Sequence, residues 1–117
     1  MKALSIVRPG GSRIASGRKT LEVRRWAPAL HPSDDLLIVE NGRYLRRDGD
    51  EDPDGTPVAV VRVTAIRPFT LADMAAACAS TFEDGWLAWE LADIRPVRAA
   101  VKLRAARGIY EVEFSLT

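Results

Sequence analysis

Residues 17–26 read Gly17-Arg18-Lys19-Thr20-Leu21-Glu22-Val23-Arg24-Arg25-Trp26, a glycine and two bases followed by alternation from Thr20 to Arg24. Leu21 and Val23 fall on one face and Thr20, Glu22 and Arg24 on the other, the period of a half-buried strand. Trp26-Ala27-Pro28 ends it. Upstream, Ala3 to Val7 is a short apolar run that predicts a first strand, broken by Pro9-Gly10-Gly11. Ser12 is placed to cap a short helix over Arg13 to Ser16, with Gly17 as its terminator.

Downstream, Leu36 to Glu40 predicts a strand, Asn41-Gly42 a hairpin turn, and Tyr44-Leu45 the start of its return. Arg46 to Pro57 is rich in Asp, Gly and Pro and predicts an acidic, solvent-facing loop. Val58 to Ile66 is the clearest strand, dense in β-branched residues. Thr70 with Asp73 forms a capping-box pattern ahead of a helix over Leu71 to Ala79. Trp86, Trp89 and Glu90 fall at helical spacings and predict a second helix from about Asp84 to Leu91. Extended segments follow at Ile94 to Val97 and Val101 to Leu103, and a last strand at Ile109 to Leu116. Many short strands with a few short helices in 117 residues predict one α+β domain over residues 1–117, built on a small, curled, mostly antiparallel sheet or barrel.

Composition narrows the chemistry. Apolar residues make up 47% and charged residues 28%, which argues against disorder. One cysteine, Cys78, and one histidine, His31, leave no internal disulfide, no zinc spacing and no histidine-based triad. Cys78 reads as a small buried hydrophobe on a helix, and His31 as a surface residue. The Asp48 to Asp54 cluster lacks ordered calcium-ligand spacing, and no glycine-rich phosphate loop or dinucleotide fingerprint occurs. No metal and no cofactor is expected. The apolar runs are too short to cross a bilayer and the start lacks a secretory pattern, so no membrane partner and a cytoplasmic location are expected.

Seventeen basic residues against sixteen acidic ones give a formal net charge of +1, which does not by itself announce a nucleic-acid binder. The distribution is polarised. Lys2, Arg8, Arg13, Arg18, Lys19, Arg24 and Arg25 face only Glu22 in the first 25 residues, whereas residues 34–54 are acidic. Most of the bases are arginines, whose planar fork suits phosphates, carboxylates and base edges.

Three stretches together resemble the ASCH domain, a family of small PUA-like β-barrels. Leu4-Ser5-Ile6-Val7-Arg8-Pro9 leads into a G-x-K-x-x-E-x-R phrase made by Gly17, Lys19, Glu22 and Arg24. Trp89-Glu90-Leu91 with Ile94-Arg95-Pro96 forms the second stretch, and Gly108-Ile109-Tyr110-Glu111-Val112 the third. The resemblance implies a PUA-like barrel with short peripheral helices and a cleft that admits a nucleotide, a modified base or a strand of nucleic acid. Some members of this family are nucleic-acid-binding modules; a few small ones are hydrolases, either ribonucleases or amidohydrolases acting on N4-acetylcytidine.

The candidate site residues follow. Lys19 is placed to bind a phosphate, polarise an oxygen or act as a base. Glu22 and Arg24, about 6.6 Å apart by strand rise, present an acceptor and a donor fork on the face that also holds Thr20. Arg8, Ser12 and Arg13 are candidates for the same mouth, and Trp26 either stacks a base or joins the core. The expected partner is RNA, single-stranded nucleic acid or a nucleoside-like molecule. The alternative is a cofactor-free hydrolase with Lys19 and Glu22 as catalytic residues. The resemblance to the amidohydrolases fails at one point: their hydroxyl, three residues after the lysine, is replaced here by Glu22. Thr20 and Ser5 are possible substitutes, and Glu83 is a candidate acid.

Overall fold

The computed structural model describes residues 1–116. In chain order they form β1 (Lys2–Val7), α1 (Gly10–Ala15), β2 (Leu21–Arg24), β3 (Leu36–Asn41) and β4 (Glu51–Pro68). A 3-10 turn over Leu71–Asp73 follows, then β5 (Leu87–Pro96), β6 (Leu103–Ala106) and β7 (Ile109–Glu111). The strands make one mixed sheet in the order β2-β5-β4-β3-β1-β7, with β6 paired to β4 off that path. All pairings are antiparallel except β1 with β3. The fold is thus α+β with a mostly antiparallel sheet. The expected barrel is an open path: β2 and β7 are its ends and no backbone ladder joins them among the described residues.

The centre of the sheet follows from its sequence. Leu36-Leu37-Ile38-Val39 is apolar without alternation because both faces are covered. Leu36 and Ile38 pack with Leu4, Ile14, Val61 and Trp89 on one side. Leu37 and Val39 pack with Ala3, Val60 and Ala105 on the other. A third cluster, Leu21, Phe69, Ala77 and Ala88, seats the turns after β4 beneath β2 and β5.

Five expectations are corrected. The segment expected as a helix over Asp84 to Leu91 is largely strand: β5 pairs with β2 on one edge and β4 on the other, and these long-range ladders override the local spacing of Trp86, Trp89 and Glu90. The acidic stretch is not a free loop over 46–57. From Glu51 onward it is the first part of β4, with Asp52 buried and accepting the Asp54 N–H at 2.9 Å. The Asn41-Gly42 pair opens a longer connection from β3 to β4 instead of a two-residue hairpin, and Asp50 holds it by accepting the N–H groups of Arg46 and Arg47 at 3.0 Å each. The helix after Thr70 is reduced to one 3-10 turn with further turns behind it, although the Asp73 carboxylate does accept the Thr70 N–H at 2.9 Å. The last strand ends at Glu111, short of Leu116.

Gly55 marks where β4 bends to meet β6. A Cβ there would lie 2.6 Å from the Leu103 carbonyl oxygen and 2.6 Å from Val39 Cγ1. Backbone on one side and packed core on the other leave it nowhere to go. Gly55→Ala is therefore expected to lose about 1–3 kcal/mol of stability, read as a lower urea midpoint with an unchanged slope; an unshifted midpoint would contradict this packing.

Candidate functional site

A cleft of about 530 Å³ opens between β1 and β2, within the range of small-ligand sites. These strands are not neighbours: β5, β4 and β3 lie between them along the sheet. The sheet curls until the two face each other, and a side chain spans the gap. Arg24 Nη2 donates to the Ser5 carbonyl at 3.1 Å. The cleft thus occupies the gap that the backbone ladder leaves open.

Its floor is a buried ion triad. Gly17, at φ +83°, ends α1, and the Lys19 N–H donates back to the Arg13 carbonyl at 3.0 Å. That turn aims Lys19 inward. Lys19 Nζ lies 3.1 Å from Glu22 Oε1 and donates to the Ala77 carbonyl at 2.9 Å. Arg24 grips the other oxygen, Glu22 Oε2, through Nε at 3.0 Å and Nη2 at 2.7 Å. Glu22 is only 4% exposed. Burial pushes its carboxyl up, but the charges of Arg24 and Lys19, with their hydrogen bonds, outweigh that and hold it below the ordinary 4.5.

A depressed folded value means that Glu22 adds stability in full above about pH 4.5 and loses it as pH falls through the folded value. Several aspartates, Asp73 among them, are depressed as well, so acid unfolding of the protein alone does not isolate Glu22. The stability gap between wild type and Glu22→Gln does. It is expected to be wide at neutral pH and to narrow as the pH falls below about 4.5; a gap independent of pH would contradict the ionised triad.

Around this floor the lining is cationic. Arg8, Arg13 and Arg107 join Lys19 and Arg24, and Glu22 is the sole carboxylate of the lining. Arg107 is paired with Asp48 at 3.2 Å. The Arg8 and Arg13 guanidinium groups have no carboxylate partner among the described residues. Trp26 lines the cleft at 37% exposure. Its ring meets Trp89 edge-on with centroids 5.0 Å apart, and Trp89 Nε1 donates to the Trp26 carbonyl at 3.2 Å. The core tryptophan thereby fixes the cleft tryptophan.

Six of the eight binding candidates read from the sequence, Arg8, Arg13, Lys19, Glu22, Arg24 and Trp26, come together here. Ser12 and Thr20 do not line the cleft. Ser12 is inside α1, with Pro9 at the cap position. Its N–H and hydroxyl donate to Glu40 Oε2 and Oε1, both at 2.8 Å, so that helix start already has its anion. Thr20 precedes β2 on the exposed side, and its N–H donates to the Ala76 carbonyl at 2.9 Å. Glu83 sits on the surface, 3.5 Å from Arg25. His31 is exposed and bonded to Ser33 at 2.7 Å.

Other lining residues arrive through topology. Cys78 is half-exposed at φ +50°, not on a helix, and borders the cleft. Asn41 enters from the end of β3, Tyr44 from the connection after it, and Arg107 from the turn between β6 and β7. Ser5 lines the cleft, but its hydroxyl lies 2.8 Å from the Tyr110 hydroxyl and accepts the Ala106 N–H at 3.1 Å. Burial raises the Tyr110 phenol, and the Ser5 hydrogen bond offsets part of that. Only Arg107 carried a local signal, as an arginine in an Arg-Gly turn.

No curated protein matches this chain. Among solved structures, ASCH from Zymomonas mobilis is similar in fold, at a TM-score of 0.63 and 20% identity, covering 83% of this chain and 70% of that one. Two single-residue variants of the same Zymomonas mobilis protein also match, each at a TM-score of 0.59 and 20% identity over 83% of this chain, covering 72% and 70% of theirs. The family model described as the ASCH domain matches residues 4–100, which include Leu4 to Val7 of β1, the Lys19-Glu22-Arg24 triad and β5. With that match over most of its length, the chain belongs to the ASCH domain family.

Proposed function

We propose that this ASCH domain binds RNA, single-stranded nucleic acid or a nucleotide-like ligand in the cleft between β1 and β2. One observation carries the reading: five cationic side chains line a concave site whose one carboxylate is already neutralised by two of them. The surplus positive charge suits phosphate, and guanidinium groups hold phosphate oxygens in a bidentate way. Arg8 and Arg13 take the phosphate. Lys19 Nζ has a remaining N–H for a phosphate or carbonyl oxygen. Trp26 offers a ring face for a base. Glu22 acts chiefly as the brace that sets the directions of Lys19 and Arg24.

The hydrolase alternative draws less support from the geometry. Thr20 lies outside the cleft, and the Ser5 hydroxyl is engaged by Tyr110 and Ala106. Both Glu22 oxygens are held by cations, which disfavours the carboxylate as a proton acceptor.

The test combines binding with product analysis. Purified protein is titrated with short single-stranded RNAs and with nucleosides, acylated and unmodified, and each ligand is then examined by mass spectrometry. The expected result is salt-dependent binding of unaltered ligand. Arg8→Ala and Arg13→Ala are each expected to weaken binding across sequences and to lower the salt slope by about 1. Product that forms with wild type and disappears with Lys19→Ala would overturn the binding reading in favour of hydrolysis.

A further inference from the structure

A second cavity of about 370 Å³ lies beside the first. It is lined by Val23, Arg24, Arg25, Trp26, Trp86 and Arg107. Val23, Arg24, Trp26 and Arg107 line both cavities. They therefore form a shared wall, with Trp26 at the boundary. The cleft holds the triad; the second cavity adds to the shared wall an aromatic ring, Trp86, and a base, Arg25, that do not line the cleft. Trp86 is half-buried and backed by Phe69 at 6.4 Å in a stacked geometry. The Arg25 guanidinium stands 6.0 Å from the Trp86 ring centroid.

From this juxtaposition we propose that the second cavity is an adjoining nucleotide subsite, so that the preferred ligand is a single strand of at least two nucleotides crossing Trp26. This rests on the nucleotide-binding reading of the cleft. The chemistry is that of single-strand binders: successive aromatic platforms for bases and a line of cations for the backbone between them. One nucleotide lies in the cleft. The next places its base against Trp86, and the linking phosphate passes Arg24 and Arg107, the two cations on the shared wall. Arg25 reaches this strand once it leaves Glu83, an exposed partner at 3.5 Å, and exposed pairs of that kind are held weakly. Two rings serving neighbouring subsites also explain why Trp86 lies outside the fully buried core that encloses Trp89.

The test compares ligand lengths on the intact chain. Binding of the common ribonucleoside 5′-monophosphates is measured against the 5′-phosphorylated homodinucleotides and dinucleotides whose second residue is abasic. The dinucleotide is expected to bind about tenfold to a hundredfold more tightly than the monophosphate, with most of that gain lost on removal of the second base. Trp86→Ala and Arg25→Ala are expected to reduce dinucleotide binding while leaving monophosphate binding unchanged. Arg25 is exposed and outside the core, so its variant guards against misfolding caused by Trp86→Ala. Monophosphate binding with no dinucleotide gain, or a gain untouched by both variants, would overturn the second subsite and leave the cleft reading intact. Binding of neither ligand would overturn both.

Discussion

Trp89→Ala is expected to cost about 3–5 kcal/mol of folding stability, a large share of what a domain of this size has to lose. Trp89 is the largest fully buried side chain, at 0% exposure. It packs in the cluster formed by Leu4, Ile14, Ile38 and Val61, so truncation leaves a void bounded by rigid strands from three parts of the chain. The loss extends to the cleft. Trp26 would lose its edge-on neighbour at 5.0 Å and its carbonyl the indole donor at 3.2 Å. Urea unfolding reads the stability, and the NMR signal of the Trp26 indole N–H in the still-folded protein reads the disturbance of the cleft. A loss below about 1 kcal/mol would contradict the central place given to this ring.

Glu22→Leu should be comparably damaging, about 3–5 kcal/mol, for a different reason. The substitution preserves bulk but leaves the Lys19 and Arg24 cations partly buried with no counter-charge. The penalty belongs to the orphaned cations more than to any attraction lost. A double variant, Lys19→Met with Glu22→Leu, removes one of those orphans. It is expected to be more stable than the sum of the single losses implies, with a coupling of about 0.5–3 kcal/mol in urea unfolding. Strict additivity would show that Lys19 and Glu22 do not act as a pair. The prediction also separates architecture from binding, because Arg24 links Glu22 to the Ser5 carbonyl across the gap between β2 and β1.

How much of this was legible depended on whether the deciding interaction was local. β1, β3 and the run from Val58 to Ile66 were readable because β-branched and apolar residues mark strands directly. The triad was readable because Lys19, Glu22 and Arg24 lie within six residues and answer to a family phrase. What alternation did not reveal is that Glu22 faces inward: its polar face is turned toward the cleft, not toward solvent. β5 was misread because its burial shows no period of two. Ala88 and Trp89 are consecutive and both buried, as happens where a strand is covered on both faces. Spacing then favours a helix until the ladders to β2 and β4 are known. The acidic stretch misled through composition, since its aspartates are held by turn N–H groups and by Asn41 and do not simply face water. Ser12 misled because a serine near a helix start reads as a cap, whereas here a glutamate from β3, 28 residues away, supplies the acceptor. Cys78 reached the cleft only through the curl of the sheet, which no local pattern announces; for Arg107 the Arg-Gly pair marked a turn but not where that turn would lie.

The central claim is that the cationic gap between β1 and β2 is where a nucleotide-like ligand sits. The most direct test is to titrate isotopically labelled protein with a short 5′-phosphorylated single-stranded RNA and map the shifted NMR signals. The account predicts that the Trp26 indole, the Arg8 and Arg24 guanidinium groups and the Lys19 side chain shift together and saturate together, with the effect weakened by added salt. Shifts that gather instead on the ion cluster of Asp35, Arg62, Asp93 and Arg95, none of which lines the cleft, or no shifts at all at high ligand concentration, would contradict it.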